Sequence, residues 1–233
     1  MIDRFLLPAQ RRVLRPIAKI VASAGVSADA VTIAGLVIGL TALPLLWLGE
    51  FGWALAAIAA NRFLDGLDGA VARLRGPTDR GAYLDIALDF FFYATVPLGF
   101  ALADPAANAL AASLLVTSFV GTGSSFLAFA IFAERNGMGN DHGARKGIFY
   151  LGGLTEGSET IIAFTAMCIW PSRFPEIALI FAALCLITTI GRWRQGWTAF
   201  RPSRQSTAPT KATPSESLGR ETMATARIQE IET

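Results

Sequence analysis

The sequence predicts an all-α integral membrane protein, in which six transmembrane helices follow an N-terminal amphipathic helix at the membrane interface. Apolar residues make up 53% of the 233-residue chain and charged residues only 16%. Several apolar runs reach the roughly 20 residues that a helix needs to cross about 30 Å of hydrocarbon. The basic residues collect in alternate connections between these runs, which is the usual distribution in membrane proteins.

The first predicted element is an amphipathic helix over residues 2–24, in which basic residues fall between apolar residues spaced at helical intervals. This pattern is typical of a helix lying on the membrane surface. An ordinary basic leader held near anionic lipid is the alternative. Pro16 either bends this helix or marks where it begins, and Gly25 ends it. We therefore expect residues 1–25 to form an interfacial segment.

Six spans follow within a predicted catalytic domain over residues 26–195. Pro97 is expected to bend the third span, and the fifth has polar residues in its first half. The six predicted spans are 29–48, 52–75, 81–103, 108–133, 148–170 and 174–191.

The distribution of basic residues predicts the orientation of these spans. Segments 1–28, 73–80, 134–147 and 192–233 contain all the lysines and nearly all the arginines, whereas the opposite loops contain only Arg173. Both termini are therefore expected in the cytoplasm, in a multi-pass inner (cytoplasmic) membrane protein. The tail 196–233 is rich in Ser, Thr, Pro and charge from about residue 201 and is expected to be disordered.

A charged stretch interrupts the apolar pattern at the cytoplasmic ends of the second and third spans. Asp65 and Asp68 are three residues apart and share one helix face, and Asp85 and Asp89 share a face of the next helix. Because a short loop joins the two helices, they are expected to be antiparallel neighbours whose four carboxylates converge. Such charge in a low-dielectric region needs neutralising, and Mg²⁺ or Mn²⁺ with carboxylate and phosphate oxygens is a recurrent solution.

The glycines and one arginine of this stretch fit the same interpretation. Gly66 and Gly69 leave space for backbone or ligand to approach, and Gly81 leaves space one turn before Asp85. Arg73 lies on the same helix as Gly69, where its guanidinium is suited to bind phosphate.

This stretch resembles the motif of the CDP-alcohol phosphotransferase (CDP-alcohol phosphatidyltransferase) family. The family pattern is D-x-x-D-G-x-x-A-R, a spacer, and G-x-x-x-D-x-x-x-D. The spacer usually has eight residues, whereas here it has seven, from Leu74 to Arg80. The matching positions are Asp65, Asp68, Gly69, Ala72, Arg73, Gly81, Asp85 and Asp89.

The resemblance implies a reaction and a role for each matching residue. An alcohol would attack the phosphorus that bears the donor's alcohol or diacylglycerol, and CMP would leave. Asp89 would also act as the general base for the acceptor hydroxyl, and the family layout implies a homodimer. The aspartates implied to ligate two divalent metal ions are Asp65, Asp68, Asp85 and Asp89, and the residues implied to bind the CDP moiety are Gly69, Ala72, Arg73 and Gly81.

Residues near the fifth span are candidates for the acceptor site. Glu156 and Glu159 lie about one turn apart and would line an acceptor pocket or balance Arg62. Arg135, Arg145 and Lys146 would bind a phosphate or carboxylate of the acceptor, or would simply anchor the loop inside. Glycerol 3-phosphate is the first candidate acceptor, because it is widespread and this loop is basic.

Alternatives remain at this point. The aspartates would otherwise form intramembrane ion pairs, for example Asp65 with Arg62. An intramembrane prenyltransferase or a cation transporter with a carboxylate site are the other functional classes. The expected partners are a CDP-linked lipid or alcohol, an alcohol acceptor and membrane lipid, and no nucleic acid is expected.

Overall fold

The computed structural model describes residues 3–138 and 154–201, with the side chains of residues 3–11 excepted. These residues are almost entirely helical, and none of them lies in a β-strand. A short 3₁₀ turn, Pro171–Arg173, precedes the last helix. The α-helices in the described part are α1 Asp3–Ser23, α2 Ala28–Leu40, α3 Ala42–Trp47, α4 Phe51–Arg75, α5 Asp79–Ala103, α6 Pro105–Arg135, α7 Gly157–Ile169 and α8 Phe174–Ala199.

Four helical segments among these residues are long and apolar enough to cross a membrane, which confirms the all-α membrane class. They are α2 with α3, then α5, α6 and α8 extended by its 3₁₀ turn. Helix α4 has the length, but charged residues follow its apolar first half. Within the described part of the fifth predicted span, residues 154–170, the helix is α7, which has 13 residues.

The first predicted span is divided into two helices at Thr41. Pro44 explains the division, because proline has no backbone N–H and its ring clashes with the carbonyl four residues earlier. The Thr41 hydroxyl donates to the Ile38 carbonyl at 2.6 Å and so satisfies a carbonyl at the end of α2. Sequence periodicity alone predicted a continuous helix here.

Helix α1 packs against α4. Leu14 and Ala18 are buried in a small cluster with Leu67 and Val71 of α4. The helix continues through Pro16, so this proline does not mark its beginning. It ends at Ser23, and Gly25 follows with a φ of +85°, a conformation that glycine adopts without strain.

Small residues bring α2 close to α4. A Cβ atom on Gly39 would lie 2.9 Å from the Asn61 amide nitrogen and 2.9 Å from a ring carbon of Phe92. The same Asn61 amide donates to the Gly35 carbonyl at 3.0 Å. This close contact places the polar side chains of α4 directly against α2.

The apolar core lies between α3, α4, α5, α6, α7 and α8 and supports the inner side of α5. Phe100 of α5 stacks on Phe174 of α8 with 4.4 Å between ring centroids, and Phe92 is fully buried. Large apolar side chains such as Leu110 and Ile180 point outward. An outward apolar surface on long helices is suited to contact with lipid chains.

Candidate functional site

Three carboxylates meet where α4 and α5 approach each other. Oxygens of Asp65 and Asp68 on α4 and of Asp85 on α5 all lie within 4.8 Å of one another. Helical spacing predicted that the aspartates of each helix share a face, and the short connection after α4 makes the two faces meet. Gly76 forms that connection with a φ of +99°, and the Thr78 hydroxyl then caps α5 by accepting from the Gly81 N–H at 3.1 Å.

Helix α2 contributes a hydroxyl to this group. Thr32 donates a hydrogen bond to Asp68 at 2.6 Å, and Asp68 is only 5% exposed. A buried carboxylate needs such donors, because burial removes its hydration. The Thr32–Asp68 contact therefore makes α2 a third wall of the site.

The fourth aspartate of the motif, Asp89, is held by an arginine. Arg62 Nη2 lies 2.8 Å from Asp89 Oδ1 and 2.9 Å from Asp65 Oδ1. The other terminal nitrogen of Arg62 donates to the Tyr93 hydroxyl at 2.6 Å. The Arg62–Asp65 ion pair, which the sequence allowed as an alternative to a metal site, is therefore present, and it exists together with the carboxylate group instead of replacing it.

The carboxylates open into a small cavity between α2, α4 and α5. Asn61, which is 5% exposed, lies against it, and its amide oxygen is buried without a hydrogen-bond partner. The residues that line the cavity are Thr32, Gly35, Leu36, Asn61, Asp65, Asp68, Asp85, Leu88 and Asp89. All four predicted metal ligands therefore face one cavity.

The residues predicted to bind the CDP moiety surround the same helix ends. Arg73 folds back over Gly69, with its guanidinium 3.3 Å from the position that a Cβ atom on this glycine would occupy. A Cβ atom on Gly81 would lie 3.2 Å from Asp29 Oδ1, so the start of α5 is close to α2. Ala72 is partly buried beside them.

An ion pair joins α2 to the start of α5. Arg80 Nη2 lies 2.6 Å from Asp29 Oδ2, and the Arg80 side chain is largely exposed. This pair lies in the part of the motif where the spacer is one residue shorter than usual. The shorter spacer still allows Asp85 to reach the two aspartates of α4.

Three of the residues predicted to bind the acceptor, Glu156, Glu159 and Arg135, lie in the described part of the chain, and none of the three lines the cavity. Glu156 and Glu159 form a capping box at the start of α7, in which each side chain accepts from the other residue's backbone N–H. Arg62, whose charge these two glutamates were alternatively expected to balance, forms ion pairs with Asp65 and Asp89. Arg135 is exposed at the end of α6. Arg145 and Lys146 lie outside the described residues, and the acceptor site remains a prediction.

Sequence reasoning missed Asp29, Thr32 and Asn61 and gave Arg62 no part in the site. Asn61, Asp65 and Asp68 follow helical spacing, so Asn61 was detectable as a polar residue on the motif face. Asp29 and Thr32 are one turn apart at the start of α2. Nothing in the sequence indicates that this turn of α2 packs against the motif.

The donor set fits a hard divalent cation. The side chains in the group are carboxylates, whose oxygens are the ligands that Mg²⁺ and Mn²⁺ prefer. The buried amide oxygen of Asn61 adds a neutral acceptor beside them. The arrangement is suited to bind a cation together with a phosphate-bearing substrate at the ends of two helices.

The fold and the site define a class, an all-helical membrane enzyme with a carboxylate centre suited to phosphate chemistry. The family model for CDP-alcohol phosphatidyltransferase matches residues 26–199. The chain belongs to this family and is a transferase of substituted phosphate groups. Family membership sets aside the prenyltransferase and cation-transporter alternatives.

Two curated relatives illustrate the range of similarity. Inner membrane protein YnjF of Escherichia coli (strain K12) is 49% identical over 197 residues, which cover 84% of this chain and 96% of the relative. Phosphatidylinositol phosphate synthase of Streptomyces avermitilis is 39% identical over 106 residues, which cover 44% of this chain and 43% of the relative. The second match therefore spans under half of either protein.

The fold is similar to solved structures of phosphatidylinositol phosphate synthase (PgsA1) from Mycobacterium tuberculosis. The structure with manganese and citrate matches with a TM-score of 0.65 at 25% identity, covering 79% of this chain and 89% of that one. The structure with CDP-DAG bound matches with a TM-score of 0.60 at 26% identity, covering 80% and 94%.

Proposed function

We propose that this protein transfers a phosphatidyl group from CDP-diacylglycerol to an alcohol acceptor and releases CMP, as a step of phospholipid biosynthesis. The observation that carries the proposal is the group of Asp65, Asp68 and Asp85, with Asp89 on the same cavity. The CDP-DAG bound to the mycobacterial relative supports this choice of donor. A carboxylate centre between helices allows a lipid to enter from the bilayer and a nucleotide from water.

We assign Asp65, Asp68, Asp85 and Asp89 as ligands of two divalent cations, Mg²⁺ or Mn²⁺. The manganese in the mycobacterial relative supports a metal at this centre. Such cations, when bound, offset the diphosphate charge and stabilise the leaving CMP. Gly69, Ala72, Arg73 and Gly81 are assigned to the CDP moiety, for which the two glycines leave space.

Asp89 is assigned as the general base. Its carboxylate takes the proton of the acceptor hydroxyl while that oxygen forms a bond to the phosphorus bearing diacylglycerol. The bond from this phosphorus to the bridging oxygen breaks, and the electron pair leaves with CMP. Arg62, which lies 2.8 Å from Asp89, keeps this carboxylate oriented.

We propose that the acceptor itself has a phosphate group. Two candidates have separate support. The basic loop before α7 favours glycerol 3-phosphate, with Arg135, Arg145 and Lys146 as candidate phosphate ligands and Glu156 and Glu159 nearby. The two phosphatidylinositol phosphate synthases among the similar proteins favour an inositol phosphate.

We further propose six spans with both termini and the site on the cytoplasmic side of the inner membrane. The first span would be α2 together with α3. The second, third and fourth would be α4, α5 and α6, the fifth would include α7, and the sixth would be α8. The arginine-rich α1 would lie at the interface, as residues 1–25 predict, and residues 196–233 would form a cytoplasmic tail. The name of the Escherichia coli relative supports the inner membrane, and a homodimer follows from the family resemblance.

The experiment is a CMP-release assay with purified protein in lipid nanodiscs. CDP-diacylglycerol, Mg²⁺ or Mn²⁺, and one acceptor at a time are supplied, and the lipid product is identified by mass spectrometry. We expect CMP release that depends on metal and on one phosphorylated acceptor. Folded protein that releases no CMP with glycerol 3-phosphate, inositol phosphate, serine, inositol or choline would refute the proposal.

A further inference from the structure

Arg62 places a protein cation among the carboxylates of the site. One terminal nitrogen, Nη2, contacts Oδ1 of both Asp65 and Asp89, at 2.9 Å and 2.8 Å. The other, Nη1, donates to the Tyr93 hydroxyl, and the guanidinium carbon lies 5.5 Å from the Tyr93 ring centroid. The Arg62 side chain is only 16% exposed. These four contacts fix the guanidinium in one position.

The four aspartates are unequal, because Arg62 contacts Asp65 and Asp89 and only Asp65 of these two belongs to the group of three carboxylates. Asp65, Asp68 and Asp85 form the group whose oxygens lie within 4.8 Å of one another in the described part of the chain. Asp89 lies on the same cavity, but its Oδ1 is an ion-pair partner of Arg62. Asp65 is also an ion-pair partner of Arg62, but a metal ion in the group has Asp68 and Asp85 as further ligands. A metal ion at Asp89 must compete with the guanidinium for Oδ1, and the two positive charges repel each other at short range.

The same contacts give Arg62 a second effect. A carboxylate held at one oxygen by a fixed guanidinium keeps its other oxygen in a defined direction. Tyr93 lies one helical turn after Asp89 on α5, so Arg62 of α4 contacts two successive turns of α5. Arg62 therefore joins the two helices that form the site, at the position of the assigned base.

We propose that Arg62 is a positioning residue that orients Asp89 and divides the carboxylate centre into two metal positions of unequal affinity. This inference rests on the proposed function. The tight position uses Asp65, Asp68 and Asp85. The weak position uses Asp89 and fills together with the donor, because the negative diphosphate offsets the repulsion between Arg62 and a second cation.

A Mn²⁺ titration followed by electron paramagnetic resonance tests the division. The wild type without substrate should bind one Mn²⁺ tightly and a second weakly, and CDP-diacylglycerol should strengthen the second. Arg62→Gln removes the competing charge, so the second dissociation constant should fall by about tenfold or more while kcat falls by about 10- to 100-fold. Tighter metal binding with slower turnover is not expected from a merely structural role.

Two conservative variants keep the test valid if Arg62→Gln does not fold. Arg62→Lys retains the charge but not the forked geometry, so the weak position should persist while kcat falls. Tyr93→Phe retains the ring and removes the hydroxyl that anchors Arg62, so kcat should fall without a change in Mn²⁺ affinity. Arg173→Gln is the matched control, since Arg173 pairs with Glu176 at the same spacing but exposed to solvent. It should change neither quantity.

The outcomes separate the two proposals. Two equal Mn²⁺ affinities in the wild type, or unchanged affinities in Arg62→Gln, would overturn the inference. A parallel loss of metal affinity and kcat in Arg62→Lys would also overturn it, because this result indicates a structural role only. A wild type that binds no Mn²⁺ and releases no CMP would instead refute the proposed function.

Discussion

The hydroxyl of Thr32 on α2 donates a hydrogen bond to the buried carboxylate of Asp68 on α4, with 2.6 Å between the oxygens. The two residues are 36 positions apart in sequence, and the chain between them includes the whole of α3. The contact connects the assigned metal ligands to a helix outside the sequence motif. It indicates that the packing of α2 on α4 contributes to the orientation of the site.

Thr32→Val tests this connection. Valine has nearly the same shape but no hydroxyl, so Asp68 loses a donor while the packing is preserved. Removal of an outer partner of a metal ligand is expected to lower Mn²⁺ affinity and CMP release by about tenfold or more. Thr32→Ser should retain most of both. Thr41→Val is the control, because the Thr41 hydroxyl donates to the Ile38 carbonyl at the end of α2. An equal loss of Mn²⁺ affinity and CMP release in Thr41→Val would contradict the role of Thr32.

Gly39→Ala tests the close approach of α2 to α4. The added methyl would lie 2.9 Å from Asn61 and 2.9 Å from Phe92, so these side chains or the helices that carry them must shift. We expect thermal unfolding in detergent to show a loss of about 1–3 kcal/mol. Gly52→Ala on α4 meets nothing within 4 Å. Stability in that control should stay the same or rise slightly, because alanine favours helix more than glycine does.

Asp85→Asn tests the carboxylate group. An amide lowers the negative charge and weakens binding of a hard cation, so metal affinity and metal-dependent CMP release should both fall sharply. Asp79→Asn is the matched control, because Asp79 lies on the same helix in its first turn, outside the motif spacing. Comparable losses in the two variants, measured by Mn²⁺ titration and CMP release, would contradict a specific role for Asp85.

Asp89→Asn tests the assigned base. The amide cannot accept the proton of the acceptor hydroxyl, so turnover should be abolished while binding of the CDP-linked donor is partly retained. Equilibrium binding of CDP-diacylglycerol and single-turnover CMP release measure the two effects separately. Full activity in this variant would remove Asp89 from the role of base.

Arg75→Ala tests how α1 is attached. Arg75 at the end of α4 donates to the carbonyl of Ala22 in the last turn of α1 and, at 3.2 Å, to the carbonyl of Gly25, which follows α1. Without these bonds, amide hydrogen exchange in the last turns of α1 should become faster. Exchange in α6 should not change and serves as the internal reference. Unchanged protection in α1 would indicate that the packing of Leu14 and Ala18 is sufficient.

Much of this architecture was predictable because it follows from local patterns. Apolar length predicted the long helices. Basic residues between apolar ones predicted an interfacial helix over residues 2–24; the structure has a helix from Asp3 to Ser23, and its position at the membrane interface stays a prediction. Helical spacing predicted that Asp65 and Asp68 share a face. The division at Thr41 was not predicted. It arises because the ring of Pro44 clashes with the carbonyl of Leu40, and counting apolar residues does not detect this clash.

By itself, the sequence determined the membrane class, the family motif and the faces on which the four aspartates lie, since each follows from residues close together in the chain. Only the tertiary structure decided which groups from other helices meet those faces. Thr32 reaches Asp68 because Gly35 and Gly39 allow α2 to approach α4. Arg62 on α4 pairs with Asp89 because the antiparallel α5 brings Asp89 beside it. Contacts between residues distant in sequence depend on helix packing, which no local spacing specifies.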